Sequence, residues 1–380
     1  MLPHFMTEAL VVRPPATSSA AASIQSGVAH LPVVSALRGV AALYVVLFHM
    51  TYVPKPGPPI ADWLLPFVTN GYSGVPLFFI ISAFTLCHTL QGRVESHPTL
   101  RFYARRVIRI MPLFYFVLLV SLGRNLLRHR ITSVPTLLLN LSVLFNLVPT
   151  REQGIVMASW SIGVEMLFYA MFPWLFRIVN SLRRALLFFA AALILSGIFW
   201  IVTQRLPLPE TVRDNFFRFS LARSLPCFAT GMVVYWAYRA SLSQPALRRF
   251  GYWLVGLGAT GFIALLSLNL NNSGRAFALH SLVYGALVTG LLFTKGSFLV
   301  NRVTERLGDV SYSLYLWHPL VIVSIMGFYP VFYAHFPKTL AWFGCLILTL
   351  AVLVPVSLLS YRLIEEPSRK AGLSRLRRWN

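Results

Sequence analysis

The sequence predicts an all-α fold: a polytopic integral membrane bundle of about ten transmembrane helices plus one short re-entrant or half-helix. Three observations predict it. Of 380 residues, 57% are hydrophobic and only 12% charged, with mean hydropathy +0.68, where soluble domains carry about 25% charged residues. Apolar runs of about 20 residues recur along the chain, each the length of a bilayer-spanning helix. The alternating ten-residue segments of a membrane β-barrel do not occur.

In chain order, residues 1–32 are rich in Ala, Ser and Pro and read as a disordered N-terminal tail. No apolar stretch precedes a small-residue cleavage site there, so the first helix is expected to be an uncleaved anchor. Spanning helices are expected near 33–53, 72–90, 108–123, 160–179, 185–203, 218–238, 251–270, 276–294, 310–330 and 339–361. The apolar piece 134–148 is too short to span and reads as the re-entrant or half-helix, tolerated at membrane depth only where protein buries it. With the N-terminus inside, the inner loops collect Arg93, Arg101, Arg105, Arg106 and Arg109, then Arg177, Arg183, Arg184, Arg239, Arg248 and Arg249. Lys295, Arg302 and Arg306 follow, and the tail adds Arg362, Arg369, Lys370, Arg375, Arg377 and Arg378. The protein is expected in the cytoplasmic (inner) membrane, and both termini are expected to be cytoplasmic by this asymmetry. Counting 134–148 as a full span would invert it. Arg124, Arg128 and Arg130 fall on the outer side, against the rule. Loops are short, so residues 33–367 form a single membrane domain and 368–380 a basic cytoplasmic tail.

The formal charge of +22 invites a nucleic-acid reading, but the basic residues flank apolar runs, where membrane orientation needs them. No nucleic-acid partner is expected; the bilayer is. Cys87, Cys227 and Cys345 all lie in apolar runs and are odd in number, so neither a disulfide framework nor a metal site is expected. No Gly-rich phosphate loop, CxxC or HExxH motif occurs.

Five stretches carry candidate chemistry. In SALRGVAALYVVLFH (35–49), eleven residues at 100° each return His49 to within ~20° of Arg38, roughly 16 Å along the axis. Intramembrane cations and imidazoles are functional candidates; the bland alternative is a snorkelling Arg and an interfacial His. In RFYARRVIRIMPLFYF (101–116), Arg106 and Arg109 share a face at i, i+3 beside Arg105, a geometry suited to phosphate oxygens. A stop-transfer cluster on lipid headgroups is the competing reading. In ASWSIGVEMLFYAMFP (158–173), Glu165 stands inside its helix at an expected depth near that of His49. A His–Glu contact would orient the imidazole as a general base; an interhelical hydrogen bond is the alternative. Arg223 in LARSLPCFATGMVVYW (221–236) is the expected partner of Glu165, or half of a structural ion pair. In LGDVSYSLYLWHPL (307–320), Ser311, Tyr315 and His318 fall on one stripe that would line a substrate tunnel or serve as interhelical glue.

Seven blocks in order over residues 33–370 resemble the acyltransferase 3 family of integral membrane O-acyltransferases, which modify carbohydrates and other hydroxyl compounds. They are LRGVAALYVVLFH, GVPLFFIISAFTL, RRVIRIMPLFYF, SWSIGVEMLFY, RSLPCFATGMVVY, LGDVSYSLYLWHPL and RLIEEPSRK. In the family the first block carries an arginine and a histidine eleven apart, as Arg38 and His49 are; its arginine pair maps onto Arg106 and Arg109, and its glutamate onto Glu165. Ala83 replaces the usual glycine, and Met166 a common second acid, leaving Glu165 without a backup carboxylate. The expected version lacks the appended extracytoplasmic hydrolase-like domain of some members. The resemblance implies acyl-CoA, usually acetyl-CoA, as co-substrate and no metal. The acceptor would be a hydroxyl on a lipid-linked sugar, a polysaccharide or a glycosylated small molecule. Arg106 and Arg109, helped by Arg38, would hold the CoA phosphates, and His49 would take the hydroxyl proton with Glu165 orienting its ring. The rival is a non-catalytic flippase or transporter using the same polar residues; no inverted repeat supports it.

Overall fold

A computed structural model describes residues 30–91, 97–268, 270, 275–296 and 298–377. Most of the N-terminal tail, Arg93 and Arg378 lie outside the described residues. Among the described residues there is no β-strand.

Ten long helices build the bundle. They are α1 (Pro32–Tyr52), α2 (Gly74–Gln91), α3 (Pro98–Leu127), α4 (Trp160–Ile178) and α5 (Leu182–Gln204). Then follow α6 (Leu221–Ser243), α7 (Gly251–Ser267), α8 (Ala276–Phe293), α9 (Ser311–Ile325) and α10 (Lys338–Ser360). Nine described segments are long and apolar enough to cross a membrane; they include every long helix except α6. At 23 residues, or about 34 Å, α6 is long enough to span. It carries Arg223 and Arg239, and its apolar side chains need not face lipid because α2, α5 and α8 surround it. The all-α bundle is therefore as expected, and the tenth span is the one whose burial relaxes its need for hydropathy.

Several boundaries move in ways that matter for the site. The third span reads as 108–123, yet α3 runs for 30 residues from Pro98, whose ring suits a first helical turn. Arg101 through Arg109 thus share one continuous helix. The piece 134–148 breaks as expected into a nine-residue helix, Val134–Ser142, and a 3-10 turn, Phe145–Leu147. Beyond α10 the chain tightens into a π-turn, Tyr361–Glu365, then a helix, Glu366–Arg377. That helix is seated on α3, with Gly372 against Ile108 and Leu376 buried; the basic tail is thus a docked element as far as Arg377.

Lipid is as apolar as a leucine side chain, so close packing and internal polar contacts hold such a bundle together. Stacked aromatics fill its middle: Phe228 of α6 lies 4.0 Å from Phe168 and 4.5 Å from Phe79, ring centre to ring centre. Small residues permit the tight crossings. A Cβ on Gly231 would stand 2.3 Å from the Ile80 carbonyl, and one on Gly308 would stand 2.1 Å from that of Ser35. The second contact locks the helix Arg302–Asp309 against the first turns of α1, just below Arg38. By contrast α5 and α7 expose Leu187, Ile194, Trp253 and Leu257, as lipid-facing helices do.

Candidate active site

Helices α1, α2, α3, α4 and α9 enclose a cavity of about 750 Å³, counting its open mouth. Each helix supplies polar groups at helical spacing. From α4 come Ser161, Glu165 and Tyr169, four residues apart and so on one stripe. From α3 come Arg106 and Arg109, from α1 Arg38, from α2 Ser82 and Thr85, and from α9 Ser311, Tyr312 and Tyr315. Apolar Val75, Phe78, Phe79, Ile81, Ile110 and Ile162 complete the wall.

Glu165 is held at its stem of the cavity by two hydroxyls. Its Oε1 accepts from Ser82 Oγ at 2.5 Å and from Tyr169 OH. The Arg106 guanidinium carbon stands 5.8 Å from the ring centres of both Phe102 and Tyr169, and its buried Nε has no hydrogen-bond partner. Three guanidiniums facing one carboxylate leave the cavity net positive, and guanidinium forks grip carboxylate or phosphate oxygens. The lining thus sets cationic groups of α1 and α3 beside an apolar wall of phenylalanines and isoleucines.

His49 lies outside that lining. It is half-buried, and its Nδ1 lies 3.0 Å from the Val45 carbonyl. A carbonyl only accepts, which assigns the proton to Nδ1 and leaves Nε2 with a lone pair. The ring beside it is His318, 4.7 Å away centre to centre and tilted by 60°. His318 is fully buried, with Nδ1 2.6 Å from the Tyr315 carbonyl. Tyr315 touches both compartments: it lines the arginine cavity, and its ring centre is 5.6 Å from that of His318. Its hydroxyl contacts Ser161 Oγ at 2.6 Å and donates to the Ala158 carbonyl at 3.0 Å.

Two expected contacts are replaced by others. Glu165 keeps company with the arginines and not with His49, because its stripe on α4 faces α2 and α3 at the Arg38 end of α1. Arg223 does not line the cavity either. It donates to the Arg218 carbonyl at 2.8 Å and its guanidinium lies 3.8 Å over the Phe277 ring, so the cations grouped with Glu165 are Arg38, Arg106 and Arg109. Ser311 and Tyr315 do line the cavity, and His318 sits directly behind Tyr315.

Sequence reasoning missed four groups. Tyr169 stood in the open, one helical turn after Glu165. Ser82 lay beside Ala83 in a block read only for its glycine, and Tyr312, donating to the Ile110 carbonyl at 2.8 Å, was passed over between Ser311 and Tyr315. Glu365, in the RLIEEPSRK block, carries no role in the sequence reading, but the π-turn brings its carboxylate to Ser313 Oγ, which donates to it.

A family model for an acyltransferase domain matches residues 33–359. The chain belongs to the acyltransferase 3 family. The match takes in every helix that lines the cavity and ends just short of the π-turn. Among curated relatives, Nodulation protein 10 of Rhizobium leguminosarum bv. viciae is 24% identical over 367 aligned positions, covering 89% of this chain and 93% of that protein. O-acetyltransferase OatA of Staphylococcus aureus (strain NCTC 8325 / PS 47) is 24% identical over 381 positions, covering 90% of this chain and 58% of OatA. The chain spans 58% of the length of the staphylococcal relatives it matches. No solved structure matches it. Among the described residues no group of three or more His, Cys, Asp or Glu side chains is placed to hold a metal ion.

Proposed function

We propose that this acyltransferase-domain protein moves an acyl group, acetyl in the simplest case, from acyl-CoA to a hydroxyl of a carbohydrate or glycosylated acceptor in the cytoplasmic membrane. The observation that carries the reading is the cavity that gathers Arg38, Arg106 and Arg109 at the foot of the helix whose far end bears His49. CoA has phosphates at one end, a thioester at the other and a slender arm between. Arg106 and Arg109 hold the phosphates, with Arg38 beside them, and Glu165 with Tyr169 and Ser82 fixes the inner wall. From Arg38 to His49 is about 16 Å of helix, a length the arm covers once the Tyr315 ring swings aside. Both termini lie on the cytoplasmic side, where the arginine-rich loops and the CoA pool are.

In the transfer, the acceptor hydroxyl gives its proton to His49 Nε2 as its oxygen attacks the thioester carbonyl. The new C–O bond forms, the C–S bond breaks, and the sulfur leaves to take up the proton as free thiol. The test uses detergent-solubilised protein and labelled acetyl-CoA with membrane glycolipid as acceptor. The wild type should consume thioester, and H49A, folded and still binding CoA, should not. A fully active H49A removes His49 from the reaction. With the same protein reconstituted in liposomes, acceptor crossing the bilayer with no thioester consumed would make the protein a carrier.

A further inference from the structure

The mechanism above leaves His318 unused, although it is the group closest to the proposed base. Three features set it apart from a structural histidine. It is fully buried, its Nε2 has no hydrogen-bond partner, and its ring is 4.7 Å from that of His49. Buried polar atoms almost always find partners, and an unpartnered one calls for a reason. His280 shows the ordinary case: equally buried, its Nδ1 donates to the Ala276 carbonyl and its Nε2 lies 3.1 Å from the side-chain amide of Asn70, whose NH2 can donate to it.

The hydrogen bonds fix what His318 can do. Its Nδ1 donates to the Tyr315 carbonyl, as that of His49 donates to Val45, so in the neutral pair both Nε2 atoms carry lone pairs. Neither ring can donate to the other until a proton arrives. One proton changes that, because a protonated Nε2 can donate and the neighbouring ring, 4.7 Å away centre to centre, carries an unpartnered acceptor. The helices also hold the partners at matching depth: His318 is seven residues, about 10 Å, beyond Ser311 at the cavity, on a helix packed against α1.

We propose that His318 is a positioning residue for the transfer, accepting a hydrogen bond from Nε2 of His49 once that ring has taken the acceptor's proton. The pair then acts as one base: the hydroxyl O–H breaks, the new N–H on His49 Nε2 is shared in a three-centre hydrogen bond between the reacting centre and Nε2 of His318, and the proton leaves with the thiolate when the C–S bond breaks. This rests on the reading of His49 as the base.

The test compares H318L, which removes the acceptor, with H318Q, whose side-chain carbonyl can take the Nε2 position, in full-length protein with acetyl-CoA. H318L should lower kcat at least tenfold with KM for acetyl-CoA within twofold, and H318Q should restore kcat to within about threefold of wild type. H49A/H318L should be no slower than H49A alone, because groups acting as a unit do not add. Wild-type kcat in H318L, equal loss in H318L and H318Q, or a further loss in the double variant would each overturn the role of His318. If H318L does not accumulate, H318M takes its place, being unbranched and free of a strong acceptor. An active H49A would instead overturn the base itself, and the two failures are told apart by that single variant.

Discussion

Replacing Asn146 by Ala should cost about 2 kcal/mol of stability. Asn146 is 2% exposed, and its Nδ2 donates to the carbonyls of Glu152 at 3.2 Å, Trp160 at 3.0 Å and Phe219 at 2.8 Å. One side chain thereby ties the loop after Phe145–Leu147 to the first residue of α4 and to the entry of α6. The amide has two N–H hydrogens, shared over these three carbonyls, so it makes two full bonds at a time, each contributing about 1 kcal/mol net. The loop stores strain besides, since Thr150 and Ala158 are held at φ +70° and +67°, a region that costs non-glycine residues about 1 kcal/mol or more. At roughly 2 °C per kcal/mol for a large domain, the thermal midpoint of N146A in detergent should fall by about 4 °C. The Ala158 carbonyl accepts from Tyr315 and Ser161 opens α4, so kcat should fall with stability while CoA affinity changes little. A midpoint within a degree of wild type would show that the three short contacts do not hold the loop, and the reasoning would fail.

Further expectations concern the cavity and its supports. R106A and R109A should each weaken acetyl-CoA binding by about tenfold to a hundredfold, the loss of one charge-assisted contact, read by calorimetry; unchanged affinity with lost insertion would make them topological anchors. G308A should destabilise by about 1–3 kcal/mol because its Cβ meets the Ser35 backbone, whereas G197A, with nothing within 4 Å, should be neutral or slightly stabilising by helix propensity. Y315F frees the ring from Ser161 and Ala158 and should lower the midpoint by a few degrees. Burial raises the carboxyl of Glu152 above the usual range, so the native state holds its proton more tightly than the unfolded chain. Its contribution is therefore present below the unfolded value and lost as pH rises through the folded one. E152Q should raise the midpoint at pH 7 and leave it unchanged near pH 4.

Much of this was legible in the sequence. Hydropathy and arginine distribution give the bundle, and the broken 134–148 piece was recognisable from its length. Arg38, Arg106, Arg109 and Glu165 were each singled out, and the fold does bring these four to one cavity. What failed was pairing across helices. Rotation about a helix axis is not encoded in depth, so equal depth for Glu165 and His49 could not tell that α4 turns its acid toward α3. Likewise Arg223 lies in the first turn of its helix, where Phe277 and the Arg218 carbonyl receive it. The His49–His318 pair joins residues 269 positions apart in two blocks noted separately, and nothing local in either foretells the other.

The helix at the heart of the bundle is the one least able to enter a bilayer alone. With two arginines and partners on three sides, α6 gains its place only after α2 and α5 have been made and while α8 is still to come. Its insertion is therefore expected to depend on those neighbours. Lesions on the facing surfaces of its neighbours, such as Gly231's contact at Ile80, should surface as missing protein before they surface as slow enzyme.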